Sequence, residues 1–237
     1  MSLRKYRLQK WMIISCFSFL SLMLVQCGSQ KSVSKNRETL SYLALGDSYT
    51  IGESVCNTCT YAHQLVDSLQ KATQKRIDLQ IIAKTGWTTT NLLSALSEAQ
   101  PSNNHDLVTL LIGVNNQYQG KDFNLYEKEF PQLLAQAIQY AQGDATNVIV
   151  LSIPDYGYTP FGQQKKDAKI SGELDLYNAF AKNTAEAMGV TYLYITDITR
   201  NGLKKPSLVA SDGLHPSAEA YHEFAKRMHQ IAKNKLD

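Results

Sequence analysis

The chain has 237 residues, 43% hydrophobic and 19% charged, proportions that exclude a disordered polymer, a collagen and a small disulfide scaffold. At this length one large domain, or at most two small ones, buries a full hydrophobic core without metal or disulfide support. The net charge of +3 belongs to the amino-terminal end: without Arg4, Lys5, Arg7 and Lys10 the total of 24 basic residues falls to 20, against 21 acidic. What remains lacks the basic surface that nucleic-acid binding requires.

The first element is a basic stretch followed by an apolar run from Trp11 to Val25, broken only by Cys16 and three serines. That is the pattern of a secretory signal, and about 15 residues is short of the roughly 20 a spanning helix needs. The run closes on Leu24-Val25-Gln26-Cys27-Gly28, which resembles a bacterial lipobox with Gln26 where a small residue is usual. The resemblance implies Cys27 as the lipidated first residue of an exported protein anchored in the bacterial cell envelope. Residues 1–27 are therefore read as signal and lipidation site. Residues 28–39 are small and polar without a period and read as a flexible tether. The domain is expected over 40–237.

Beyond the tether, short apolar runs alternate with longer amphipathic ones. In chain order the strand candidates are 40–45, 79–83, 107–112, 148–153 and 190–195, and the helix candidates 61–74, 89–99, 123–142, 173–188 and 216–233. The last of these opens with Pro216, a residue suited to a first helical turn. Such alternation predicts βαβ units: a parallel five-stranded sheet with helices on both faces, with function gathered at the carboxyl ends of the strands.

Polar and glycine residues collect at those ends. The first strand runs into Gly46-Asp47-Ser48, the second into Thr85-Gly86-Trp87 and the third into Gly113-Val114-Asn115-Asn116; Asp212-Gly213-Leu214-His215-Pro216 follows the fifth. Acyl transfer needs a nucleophile, a base, an orienter for the base and donors for an oxyanion. Ser48 leaves a buried strand, where its hydroxyl reaches the rim. His215 is a base able to take its proton, and Asp212, three residues earlier, is spaced to hold the other ring nitrogen. Gly86 lets a backbone N–H approach an oxyanion, and Asn115 offers a side-chain amide N–H. Each piece has an ordinary alternative: a turn, a helix cap, a strand end. Their joint order is what points to catalysis.

Cys56 and Cys59 form a C-x-x-C pair just after the first strand, with no second pair to complete a zinc site. In an exported protein a local disulfide is expected, stiffening the loop beside Ser48. His222 and His229 lie seven apart on the last helix and read as surface or packing residues, since a metal pair would want a spacing of four. Pro154 to Gly162 is a rigid aromatic loop at the same rim, either a well-packed turn or one wall of an acyl or alcohol pocket.

Leu45-Gly46-Asp47-Ser48-Tyr49-Thr50, Thr85-Gly86-Trp87-Thr88-Thr89, Gly113-Val114-Asn115-Asn116 and Asp212-Gly213-Leu214-His215-Pro216 together resemble the four signature blocks of the GDSL/SGNH hydrolase superfamily. The resemblance spans residue 40 to the carboxyl terminus. It implies a three-layer, flavodoxin-like α/β/α fold and an esterase or lipase that uses no metal or cofactor. It also implies Ser48 as nucleophile, His215 as base, Asp212 as its partner, and an oxyanion hole made of the Ser48 backbone, Gly86 and Asn115. One departure is Asn116, where the family usually carries aspartate. Small esters are the implied substrates: acetylated glycan, lysophospholipid or thioester, with the oligomeric state left open. The competing readings are a catalytically silent glycan- or lipid-binding lipoprotein on the same scaffold and a phosphate-binding module. The latter is disfavoured by a carboxylate, Asp47, where backbone donors would have to face phosphate.

Overall fold

The computed structural model describes residues 39–236. The expected signal, the lipidation residue Cys27 and the tether up to residue 38 lie outside the described residues. Thr39, read as the end of the tether, instead opens the first strand.

Five strands, β1 (Thr39–Gly46), β2 (Arg76–Ala83), β3 (Leu107–Leu111), β4 (Val148–Leu151) and β5 (Thr191–Leu193), pair in parallel in the order β2-β1-β3-β4-β5. This is the flavodoxin-like order, with its switch point between β1 and β3. β1, β3 and β4 are buried on both faces, which is why they read as continuous apolar runs. β2 is an edge strand. Its polar Arg76, Asp78 and Gln80 alternate with Ile77, Leu79 and Ile81, so it starts three residues before the apolar run that announces it. The last two strands are shorter than expected because side chains intercept their backbone. Asn178 accepts the Ile153 N–H at 2.7 Å, and the Ser152 hydroxyl accepts those of Ile195 and Thr196 at 2.7 and 3.0 Å.

The helices are α1 (Ser48–Ile51), α2 (Tyr61–Thr73), α3 (Thr89–Ala99), α4 (Val114–Tyr118), α5 (Phe123–Tyr140), α6 (Pro160–Lys165), α7 (Ile170–Ala187), α8 (Thr196–Thr199) and α9 (Ala218–Leu236). α2 and α9 pack together on one face of the sheet and α3, α5 and α7 in a row on the other, giving the three layers. α5 and α7 meet through Phe123, Tyr126, Phe130, Tyr177 and Phe180, with Tyr126 and Tyr177 only 4.6 Å apart between ring centres. Four helices of four to six residues (α1, α4, α6 and α8) sit in the connections and have no counterpart in the expected elements.

α9 does not begin at Pro216. That residue forms an isolated antiparallel bridge with Val209, and the Ser217 hydroxyl accepts the Ala220 N–H at 3.2 Å, capping the helix later than its proline announces. His222 and His229 both reach back to α2, at Gln64 and Ser68. No helix among the described residues is long and apolar enough to cross a membrane.

Candidate active site

Register places the site. Gly46, the last residue of β1, lies opposite Ala83 of β2 and Leu111 of β3, so three adjacent strands end level with one another. The chain leaving them carries Ser48, Gly86 and Asn115 respectively. The turn into α1 is tight: a Cβ on Gly46 would come within 2.3 Å of the Leu111 carbonyl oxygen, so only glycine fits. Asp47 caps α1 by accepting the Tyr49 N–H at 3.0 Å, and Gly52 ends it in the left-handed region.

Asp47 is fully buried, and its second carboxyl oxygen has no partner among the described residues. Burial pushes its carboxyl up to about 7, against the pull of the Tyr49 and Asp47 backbone N–H groups. At about 7 it is only partly ionised near neutral pH, and whatever charge it carries is buried. A backbone anion cradle is also disfavoured by the brevity of α1, a single turn.

The Ser48 hydroxyl lies 3.1 Å from His215 Nε2, and His215 Nδ1 lies 2.6 Å from Asp212 Oδ2. Asp212 is ionised and only accepts, so Nδ1 carries the ring proton and Nε2 faces the serine as acceptor. The loop holding this pair is closed by the Val209–Pro216 bridge and by the Ala210 N–H donating to the His215 carbonyl at 2.8 Å. Asp212 Oδ1 accepts the backbone N–H groups of Leu214 and His215 at 2.9 and 3.0 Å. Partial burial pushes the Asp212 carboxyl up. Hydrogen bonds from His215, Ser54 and those two N–H groups outweigh it and hold the carboxyl well below the usual carboxylate range.

Sequence reasoning missed Ser54. Held in the left-handed region at φ 65°, it donates to Asp212 Oδ2 at 2.7 Å across 158 residues of sequence. Its neighbour Glu53 accepts the Thr85 hydroxyl from the loop after β2. Neither residue belongs to a motif, so no sequence signal marks them. Cys56 and Cys59 are joined in a disulfide along the same loop.

Gly86 adopts φ +82° with open space where a Cβ would stand, so glycine is required by the backbone and its surroundings stay accessible. The Asn115 amide donates one hydrogen to the Trp87 carbonyl at 3.0 Å, which leaves its second hydrogen for another acceptor. Gln119 anchors the Gly86 carbonyl at 2.9 Å. The fully buried Asn116 bonds Thr89 through both its oxygen and its nitrogen. Ser48, His215, Gly86 and Asn115 line one cleft of about 300 Å³, walled by Val114, Tyr118, Tyr156, Phe161 and Leu214. The Pro154–Gly162 segment is thus a cleft wall and also a packed turn. Tyr156 is buried and hydrogen-bonded to Gln117, and Asp155 is held by Arg200 at 2.9 Å.

The profile of the GDSL-like lipase/acylhydrolase family matches residues 44–222. Among solved structures, the fold is similar to a lipase from a goat rumen metagenome (TM-score 0.65, 19% identity, covering 84% of this chain and all of that one). It is also similar to an acetyl xylan esterase from Geobacillus stearothermophilus (0.60, 19%, 83% and 97%) and to the psychrotrophic esterase EstA from Pseudoalteromonas sp. (0.58, 18%, 83% and 98%). No curated protein matches the chain at a significant level.

Asp47 carries a pH signature. The folded protein keeps on this residue a proton that the unfolded chain, at the ordinary value of 3.8, releases earlier. Wild-type stability therefore declines as pH rises from about 4 to about 7 and levels off above that. Asp47→Asn keeps the cap acceptor and has no such proton. Its stability relative to wild type should rise over the same window, by about 4 kcal/mol at most. Urea unfolding of both proteins at pH 5 and pH 8 measures this, and a difference that does not change with pH would contradict it.

Proposed function

The chain belongs to the GDSL-like lipase/acylhydrolase family and is a hydrolase, and we propose that it cleaves carboxylic esters through a serine acyl-enzyme. The observation that carries the reading is the unbroken chain from Ser48 Oγ through His215 to Asp212, at 3.1 and 2.6 Å.

In this mechanism Ser48 Oγ attacks the ester carbonyl carbon while its proton passes to His215 Nε2. The imidazolium that forms is stabilised by Asp212, which stays ionised because its carboxyl is held far below neutral pH. Negative charge moves to the carbonyl oxygen, the position that the Ser48 and Gly86 N–H groups and the free Asn115 amide hydrogen are suited to meet. Collapse of this adduct breaks the ester C–O bond, and the alcohol leaves with the proton from His215. Water then repeats the sequence on the acyl-serine: His215 takes its proton, hydroxide adds to the acyl carbon, and the carboxylic acid departs as the proton returns to Ser48.

The cleft limits the substrate. A volume of about 300 Å³ stands at the lower end for small-molecule sites. Its aromatic and aliphatic wall favours an apolar acyl group of short to medium length. The basic stretch, apolar run and Cys27 at the amino terminus support export and lipid anchoring in a bacterial envelope as the setting.

Ser48→Ala and His215→Ala should each lower kcat on p-nitrophenyl acetate by about 10⁴-fold or more with melting temperature nearly unchanged. A Ser48→Ala protein at full activity would sink the reading. Across p-nitrophenyl esters of two to sixteen carbons, kcat/KM should peak at or below about eight carbons, and a maximum at sixteen would contradict the cleft argument. Metabolic labelling with palmitate should mark the protein and be lost in Cys27→Ser; persistent label in that variant, or none in wild type, would refute the anchor.

A further inference from the structure

Asn116 stands where the resembling family usually carries an aspartate, and its surroundings fix which way every proton points. Its side chain is fully buried. The backbone N–H of Thr89, the first residue of α3, donates to Asn116 Oδ1 at 2.9 Å. A backbone N–H has only that role, so the amide cannot be turned over, and Nδ2 is left facing the Thr89 hydroxyl oxygen at 2.7 Å. That hydroxyl in turn donates to the carboxylate of Glu129, a buried residue of α5. The Thr90 hydroxyl donates to the same carboxylate at 2.8 and 2.9 Å.

The result is a one-way chain from amide to hydroxyl to carboxylate. It joins α4, which carries Asn115, to the first residue of α3, just after the loop that holds Gly86, and ends on α5. Thr89 lies three residues after Gly86, and Asn116 directly follows Asn115, whose amide is itself bonded to the Trp87 carbonyl. An aspartate at position 116 would break the chain. Both its oxygens would accept, while the single Thr89 proton already goes to Glu129, leaving two carboxylates to compete for one hydroxyl. The amide of Asn116 and the acid of Glu129 are thus fitted to each other.

We propose that Asn116, Thr89 and Glu129 form a directional hydrogen-bond relay that positions Gly86 and Asn115 for the oxyanion, with Glu129 supplying from α5 the negative charge that residue 116 lacks. The proposal rests on the ester-hydrolase reading and extends it to three positioning residues. Because the oxyanion exists only during reaction, misplacing its donors should lower kcat and spare KM.

Polarity reversal tests the relay. Asn116→Asp alone should lower kcat on p-nitrophenyl acetate by about tenfold or more with KM within about twofold. Adding Glu129→Gln lets the chain run backwards: the glutamine amide donates to Thr89 Oγ1, and the Thr89 hydroxyl donates to the carboxylate introduced at position 116. The double variant Asn116→Asp/Glu129→Gln should therefore regain kcat to within about threefold of wild type, along with its melting temperature. Since the double variant is measured in its own right, a single variant that fails to fold leaves the rescue readable. Wild-type kcat in Asn116→Asp, or no rescue beside an active wild type, overturns the relay alone. A wild type with no Ser48-dependent turnover overturns the ester-hydrolase reading and the positioning role with it.

Discussion

The site depends on one constraint, the pairing of β1 between β2 and β3 with their carboxyl ends level. Parallel strands joined by helices must all deliver their exits to one rim. At the switch point the chain turns outward from β1 while its neighbours approach from either side. The serine hydroxyl and the two candidate oxyanion donors are therefore placed by backbone pairing before any side chain is chosen. Glycine at position 46 is the local expression of that constraint, since the strand end and the β3 carbonyl leave no room for a Cβ.

The imidazole has no such guarantee. It comes from a loop at the far end of the chain, 167 residues from Ser48, and a short bridge and the Asp212 carboxylate keep it in place. Asp212 serves two ends at once: one oxygen shapes its own loop through two backbone N–H groups, while the other orients the ring. Ser54 adds a tie from the loop after α1. Two loops with no pairing to the sheet are thereby fastened to each other through a single carboxylate, close to a disulfide that closes the same segment.

Much of this was legible in the residues because each signal was local. Buried parallel strands announce themselves as apolar runs, and Ser48, Gly86, Asn115 and His215 each stand at the end of one or in a short motif. The misreadings have the same root. β2 alternates because it is an edge strand, and its polar half lacks the continuous apolar run that marks a strand buried on both faces. Pro216 fits a first helical turn and a bridge position equally well, and only tertiary pairing decides. Helices of four to six residues carry too few positions for a period to emerge. Ser54 and Glu129 act on the site across long stretches of sequence, and a single hydroxyl in a loop or a single acid on an amphipathic helix looks like solvent-facing polarity until the fold brings its partner.

The central claim is that Ser48 is the residue that becomes covalently bonded. Treating the wild-type protein with a fluorophosphonate and sequencing its peptides by mass spectrometry tests this directly. A single stoichiometric phosphonyl adduct is predicted on the peptide containing Ser48, formed more slowly when His215 is replaced by alanine. An unmodified Ser48 peptide, or an adduct on a different residue, would contradict it.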